Sequence, residues 1–330
     1  MKTFKYTILV LITLVFTYLL GPTMPKPVFD KNLPSITNGV ERYVDSLEVG
    51  KMIRACNGAK IIWANDSLKS ETEFVLLYLH GFSASWHEGF PANADFSKRY
   101  GYNAYLARLA SHGLITDNPL IDMTPERLYE SAKQALIIAR HLGRKVIIMG
   151  TSTGGTLGLM LAADFPEMVD GLILYSPNIR IKQRSSVLLS KPWGLQIARL
   201  NFGGNFRVTD DDPAGGICKF WYCHYRAEGT VYLQQIIDAK MNPDLFHKVT
   251  CPVFMGYYYK DEENQDQTVS VSAELKMFDQ LGTPASEKRA VPFPNAKAHV
   301  IASNLTSKCV NQVEDATWNF SEQVLHLRAK

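Results

Sequence analysis

Along this chain, short β-rich apolar runs alternate with stretches whose apolar residues recur every three or four positions. The runs occupy residues 61–63, 74–79, 104–109, 145–149, 172–175, 253–258 and 289–293, and their length and composition predict strands. Helical patterns lie between several of them. Residues 125–141 place Leu128, Ala132, Ala135, Leu136 and Ile138 with Ala139 on one side, and further patterns follow at 153–165, 273–281 and 310–327. Strand alternating with helix predicts an α/β chain with a mostly parallel sheet covered by helices on both faces. Residues 177–250 break the alternation. They lie between two predicted core strands without a strand signal of their own, and so predict an inserted cap.

The N-terminus has another character. After Lys2 and Lys5 the chain is uncharged from Tyr6 to Pro25, and residues 8–20 are almost wholly aliphatic or aromatic, with no polar stripe at helical period. That predicts a targeting or anchoring segment. Gly21-Pro22-Thr23-Met24-Pro25 offers no small-x-small cleavage site, so the expectation is an uncleaved anchor. Lys2 and Lys5 would then stay cytoplasmic and the catalytic domain would face the extracytoplasmic side; cleavage would instead secrete it. Residues 1–25 are thus the anchor or signal segment, 26–50 a tether, and 51–330 the main domain with a cap at about 177–250.

Composition narrows the options. Of 330 residues, 46% are hydrophobic and 20% charged, an ordinary globular balance, and a mean hydropathy of −0.09 is too low for a multi-span membrane protein. A net charge of +3 lacks the basic footprint that nucleic acid requires, so no nucleic-acid partner is expected. Five cysteines are too few and too scattered for a disulfide scaffold, and one must stay unpaired. Cys218 and Cys223, with His224 after them, read as buried thiols in preference to a short-loop disulfide or metal ligands. No metal or cofactor is expected.

The chemistry concentrates after the fourth run. Residues 145–149 read as a buried parallel strand, Gly150-Thr151-Ser152-Thr153-Gly154 follows at once, and a small-residue helix comes next. This is G-x-S-x-G between strand and helix, where a strained turn needs glycine on both sides to raise a nucleophilic serine at the sheet edge. Ser152 then needs a base and a carboxylate to orient it, in the chain order Ser, acid, His. His299 stands in the loop after the last strand, whereas His326 falls on the polar part of the terminal helix. The loop after residues 253–258 presents Asp261 and Asp266; the spacing to the next helix favours Asp266. Oxyanion donors are expected from the Thr153 N–H and, in the His80-Gly81-Phe82 turn, from the Phe82 N–H.

With those residues in place, the chain resembles the α/β-hydrolase family from about Met52 to its C-terminus. His80-Gly81-Phe82-Ser83, Tyr105-Leu106-Ala107-Arg108-Leu109, Ser111-His112-Gly113, the serine turn and Lys297-Ala298-His299-Val300 look like the branch that holds serine-aminopeptidase-like (S33) hydrolases and monoacylglycerol lipases. The resemblance implies an α/β-hydrolase fold and a cofactor-free serine hydrolase of esters, monomeric or weakly associating. Aromatic residues in the predicted cap suit an apolar acyl chain or cap packing equally, which leaves lipid and small soluble esters both open. An amide or peptide hydrolase, or a non-catalytic binding module on the same scaffold, are the alternatives.

Overall fold

The computed structural model describes residues 2–37, 39–209 and 216–330. Its main sheet is built from β1 (Lys60–Ile62), β2 (Thr72–Leu79), β3 (Asn103–Leu106), β4 (Gly143–Thr151), β5 (Gly171–Tyr175), β8 (Val253–Tyr257) and β9 (Lys288–Pro292), while β6 (Phe206–Val208) and β7 (His224–Arg226) pair apart from it. The seven-stranded order is β1-β3-β2-β4-β5-β8-β9. Only β1 runs antiparallel to its neighbour β3.

All seven predicted runs lie in this sheet, and the reason is visible in their side chains. Val75, Leu77, Leu79, Val146 and Ile148 enter a core on one face, whereas Leu76, Tyr78, Ile147, Met149 and Ile173 enter a core on the other. A strand alternates its side chains across the sheet, so only a run apolar at every position can be buried on both faces. Each such side chain contributes about 1.5–3 kcal/mol of burial free energy.

The helices that cover the faces start where their sequences permit. The Thr124 hydroxyl caps Pro125–Arg140 by accepting the Arg127 N–H, and Pro125 sits in the first turn, where a missing N–H costs nothing. Ala92–Tyr100, too weakly patterned to be read from sequence, packs Phe96 and Tyr100 onto the opposite face. The terminal helix ends at Gln323. His326 therefore lies outside it, exposed at φ +55°, because Leu325 and Leu327 on either side turn inward to the core.

Between β5 and β8 the described residues form a 3-10 helix, Arg184–Ser190, the α-helices Gly194–Phe202, Ala227–Lys240 and Pro243–Phe246, and the β6–β7 pair. The strand pair corrects the expectation of a strandless insertion. Each strand is three residues long, Phe206 opposite Arg226 and Val208 opposite His224, too short to leave a periodic trace. A second correction is a disulfide: Cys218 and Cys223 are bonded, with their Cα atoms 5.5 Å apart, because the chain doubles back just before β7. Cys56, Cys251 and Cys309 are free thiols.

At the N-terminus a helix spans Lys2–Leu19, and its apolar side chains stand in the open; Phe4 is 70% and Leu19 65% exposed. Among the described residues no helix is long and apolar enough to cross a membrane. The following residues are fastened to the domain. The Pro22 carbonyl accepts the Trp193 N–H at 2.9 Å, Gln235 Nε2 reaches the Pro25 carbonyl at 2.8 Å, and Lys31 pairs with Asp164 at 2.6 Å.

Candidate active site

Ser152 sits between β4 and the helix Thr153–Asp164 with φ +53° and ψ −116°, a conformation that L residues adopt only under constraint. Its neighbours supply the constraint. The Ser152 N–H donates to the Tyr175 carbonyl at 2.9 Å, and its own carbonyl receives the Gly155, Thr156 and Asn178 N–H groups. The flanking glycines are required for room: a methyl group on Gly154 would overlap the Leu79 carbonyl, and one on Gly150 would stand 2.6 Å from the Gly154 carbonyl. The result is a nearly buried serine, 7% exposed, at the carboxyl edge of the central strands.

The acid comes from the loop after β8. There the Asp266 N–H donates to the Tyr258 carbonyl at 3.1 Å, folding the loop back so that Asp266 is fully buried. One carboxylate oxygen accepts the Thr268 and Val269 N–H groups at 2.7 and 3.1 Å; the other accepts His299 Nδ1–H at 2.6 Å. Asp261 is not brought to this point. Exposed, it accepts the Glu263 and Asn264 N–H groups at 3.1 and 2.8 Å and so closes its own turn.

Burial and charge oppose one another in this pair. Burial favours the uncharged forms of both groups, and their mutual attraction and hydrogen bond overcome it, leaving Asp266 below the ordinary carboxylate value and His299 above the ordinary imidazole value. With Nδ1 donating to Asp266, Nε2 is left as the free acceptor. It is buried and has no hydrogen-bond partner among the described residues. His299 and Ser152 line the same cavity, of about 770 Å³, without a hydrogen bond between Nε2 and Oγ; such contacts often tighten only around substrate.

The loop after β2 completes the floor. Two buried histidines hold it. His80 Nδ1–H donates to the Gly81 carbonyl at 2.9 Å while Nε2 accepts the Leu109 N–H; His112 Nε2 accepts the Ser83 N–H at 3.1 Å. Burial drives both far below the ordinary imidazole range, His112 to about 4, so each is neutral and fixed in one tautomer. Because the Gly81 carbonyl is pinned by His80, the Phe82 N–H across the same peptide faces the other way, and among the described residues it has no acceptor. The Thr153 N–H, first in its helix, is one of the donors that a helix start leaves unpaired. Phe82 lines the cavity beside Ser152.

Glu88 belongs to this site and was missed from the sequence. It is 2% exposed, lines the cavity, and accepts the Gly81 N–H at 2.6 Å. A lone glutamate eight residues beyond His80, in a polar-looking turn, carries no pattern that separates it from surface glutamates. From the insertion, Leu188, Leu189, Ile197, Phe202, Val208 and Leu233 make much of the remaining wall apolar.

Residues 76–302 match the model of the alpha/beta hydrolase family, and the chain belongs to that family. No curated protein matches it in sequence. Among solved structures, one reported with LipS and LipT, two metagenome-derived lipolytic enzymes, is similar at 17% identity and a TM-score of 0.65, covering 82% of this chain and 98% of that one. Est1E of Butyrivibrio proteoclasticus with ferulic acid is 16% identical, with a TM-score of 0.55 over 83% and 99%. A monoacylglycerol lipase of Paleococcus ferrophilus is 13% identical, with a TM-score of 0.54 over 80% and 98%. At these identities the likeness concerns the fold.

Proposed function

We propose that this chain is a serine hydrolase that cleaves carboxylic esters through an acyl-enzyme on Ser152. The observation that carries the reading is the buried Asp266–His299 pair, whose free Nε2 opens on the cavity lined by Ser152. Ser152 Oγ attacks the acyl carbon as His299 Nε2 takes its proton, and the electrons of the carbonyl collect on oxygen opposite the Phe82 and Thr153 N–H groups. His299 then returns the proton to the leaving alcohol. Water, deprotonated by the same nitrogen, releases the acid. Asp266 stays ionised and holds the imidazolium.

Residues 177–250 act as the cap over this site, and their apolar lining supports esters with an apolar acyl chain, as the resemblance to the monoacylglycerol-lipase and S33 branch also suggests. A lipid surface is the proposed setting. Leu200, 84% exposed, and Val208, 61% exposed, stand on the insertion and support an apolar contact with such a surface. The apolar N-terminal segment anchors the chain there. The Cys218–Cys223 disulfide supports an oxidising, extracytoplasmic compartment for the domain. Initial rates across p-nitrophenyl esters of increasing acyl length test the reading. Turnover that rises with chain length and is abolished in Ser152→Ala is expected; an inert wild type, or equal rates in the variant, contradicts it. Native protein that begins at Met1 and sediments with membranes supports the anchor, and an N-terminus near Thr23 refutes it.

A further inference from the structure

Glu88 is a buried carboxyl group with no cation paired to it among the described residues, placed where a negative charge is about to develop. It sits in the turn Trp86–Gly89 and crosses back to the serine. A methyl group built on Gly81 would lie 2.7 Å from Glu88 Oε1 and 3.2 Å from Ser152 Cβ, so the carboxyl group and the nucleophile converge on one face of the residue before Phe82. Each element around it can be named. From β2 comes the Tyr78 hydroxyl at 3.5 Å, itself held uncharged by burial; from the loop after β2, the Gly81 N–H; from the insertion, the Trp221 side chain as a hydrogen-bond partner; from the loop after β9, His299. His87, next in the chain, is turned away to stack on Phe220 at 3.7 Å. Of these groups only His299 can carry charge at neutral pH, and it is neutral when poised as a base.

An ionised carboxylate here would repel the oxyanion across a dry gap, whereas a protonated one offers it a hydrogen bond. Resting on the Ser152 ester-hydrolase reading, we infer that Glu88 is a further catalytic residue, an uncharged carboxylic acid that donates a hydrogen bond to the acyl oxygen beside the Phe82 and Thr153 N–H groups. The covalent changes are those of the acylation step. The Ser152 Oγ–carbon bond forms, the carbonyl π pair moves to oxygen, the serine proton goes to His299, and Glu88 keeps its own proton while sharing it with the oxyanion. Burial, against the weaker opposing effects of the Gly81 N–H, His299, Tyr78 and Trp221, raises the Glu88 carboxyl to about 8. The active form therefore exists below that pH and is lost above it.

The test is the pH dependence of kcat/KM for p-nitrophenyl acetate between pH 6 and 10, in the full chain, for the wild type, Glu88→Gln and Glu88→Ala. The wild type is expected to fall with a midpoint near 8, to about 30-fold below its plateau at pH 9.5. Glu88→Gln keeps an uncharged donor of the same shape, so it loses less than about tenfold at pH 7 and its alkaline fall disappears. Glu88→Ala loses about 10²-fold in kcat at pH 7, with little change in KM, as for removal of one oxyanion donor, and the gap to the wild type narrows as the wild type falls at alkaline pH. Tryptophan emission, titrated alongside, should show a transition near pH 8 in the wild type that is absent from Glu88→Gln, since Trp221 is bonded to the group that ionises. An alkaline fall retained in Glu88→Gln, or full activity in Glu88→Ala, overturns the assignment and leaves ester hydrolysis standing. A wild type that neither turns over the ester nor is labelled at Ser152 by a fluorophosphonate overturns the hydrolase reading itself.

Discussion

The loops after β2 and β3 and the loop after β9 all bury imidazole, and the first two do the opposite with it from the third. His80 and His112 lie among backbone groups, with no carboxylate to meet them, and burial holds them neutral with both ring nitrogens occupied. His299 meets the Asp266 carboxylate at 2.6 Å, and its other nitrogen has no hydrogen-bond partner among the described residues. Burial thus makes a histidine a strut. A buried counter-charge and an unfilled lone pair make it a base.

The largest break in that comparison is Asp266→Asn. It removes the charge that stabilises imidazolium and can impose the wrong tautomer, so kcat should fall by about 10⁴-fold with KM little changed. Steady-state kinetics on a p-nitrophenyl ester decide it. His80→Ala attacks the other side. With the Gly81 carbonyl released, the Phe82 N–H loses its aim, and a drop of about 10²-fold in kcat is expected without a shift in the acid limb of the pH profile. That limb comes from His299, which must be neutral to accept the serine proton. Because its pKa is raised, half-maximal kcat/KM should lie above the ordinary imidazole value of about 6.5, and activity should fall about tenfold for each pH unit further down. A midpoint at or below that value would mean that Asp266 does not govern the base. The smallest effect is that of Asp261→Asn, whose carboxylate serves only its own exposed turn; its kcat should stay within about twofold of the wild type.

Much of this site could be read from the sequence because its parts are local. The G-x-S-x-G turn compresses a steric requirement into five residues, and the overlaps that a methyl group would make at Gly150 and Gly154 show why no other residue serves there. The central strands were equally legible, since burial on both faces leaves no polar position to confuse the pattern. His299 and Asp266 followed from chain order and spacing.

The missed features depend on distant partners. Glu88 acquires its chemistry from Gly81, Trp221 and the dry wall around it, none of which marks residue 88 itself. The Cys218–Cys223 bond and the β6–β7 pair arise where the insertion doubles back, over spans too short for periodicity to register. The contacts that fasten residues 22–31 also leave no local trace, because they run to Trp193, Gln235 and Asp164, far along the chain.

The account stands or falls on whether His299 activates the Ser152 hydroxyl. Intact-protein mass spectrometry after a brief mix with p-nitrophenyl butyrate, followed by peptide mapping, reads this directly. One butyryl group per molecule on the peptide containing Ser152, reduced below detection in His299→Ala, is the predicted result. Acylation that proceeds equally in that variant, or that lands on another residue, would contradict it.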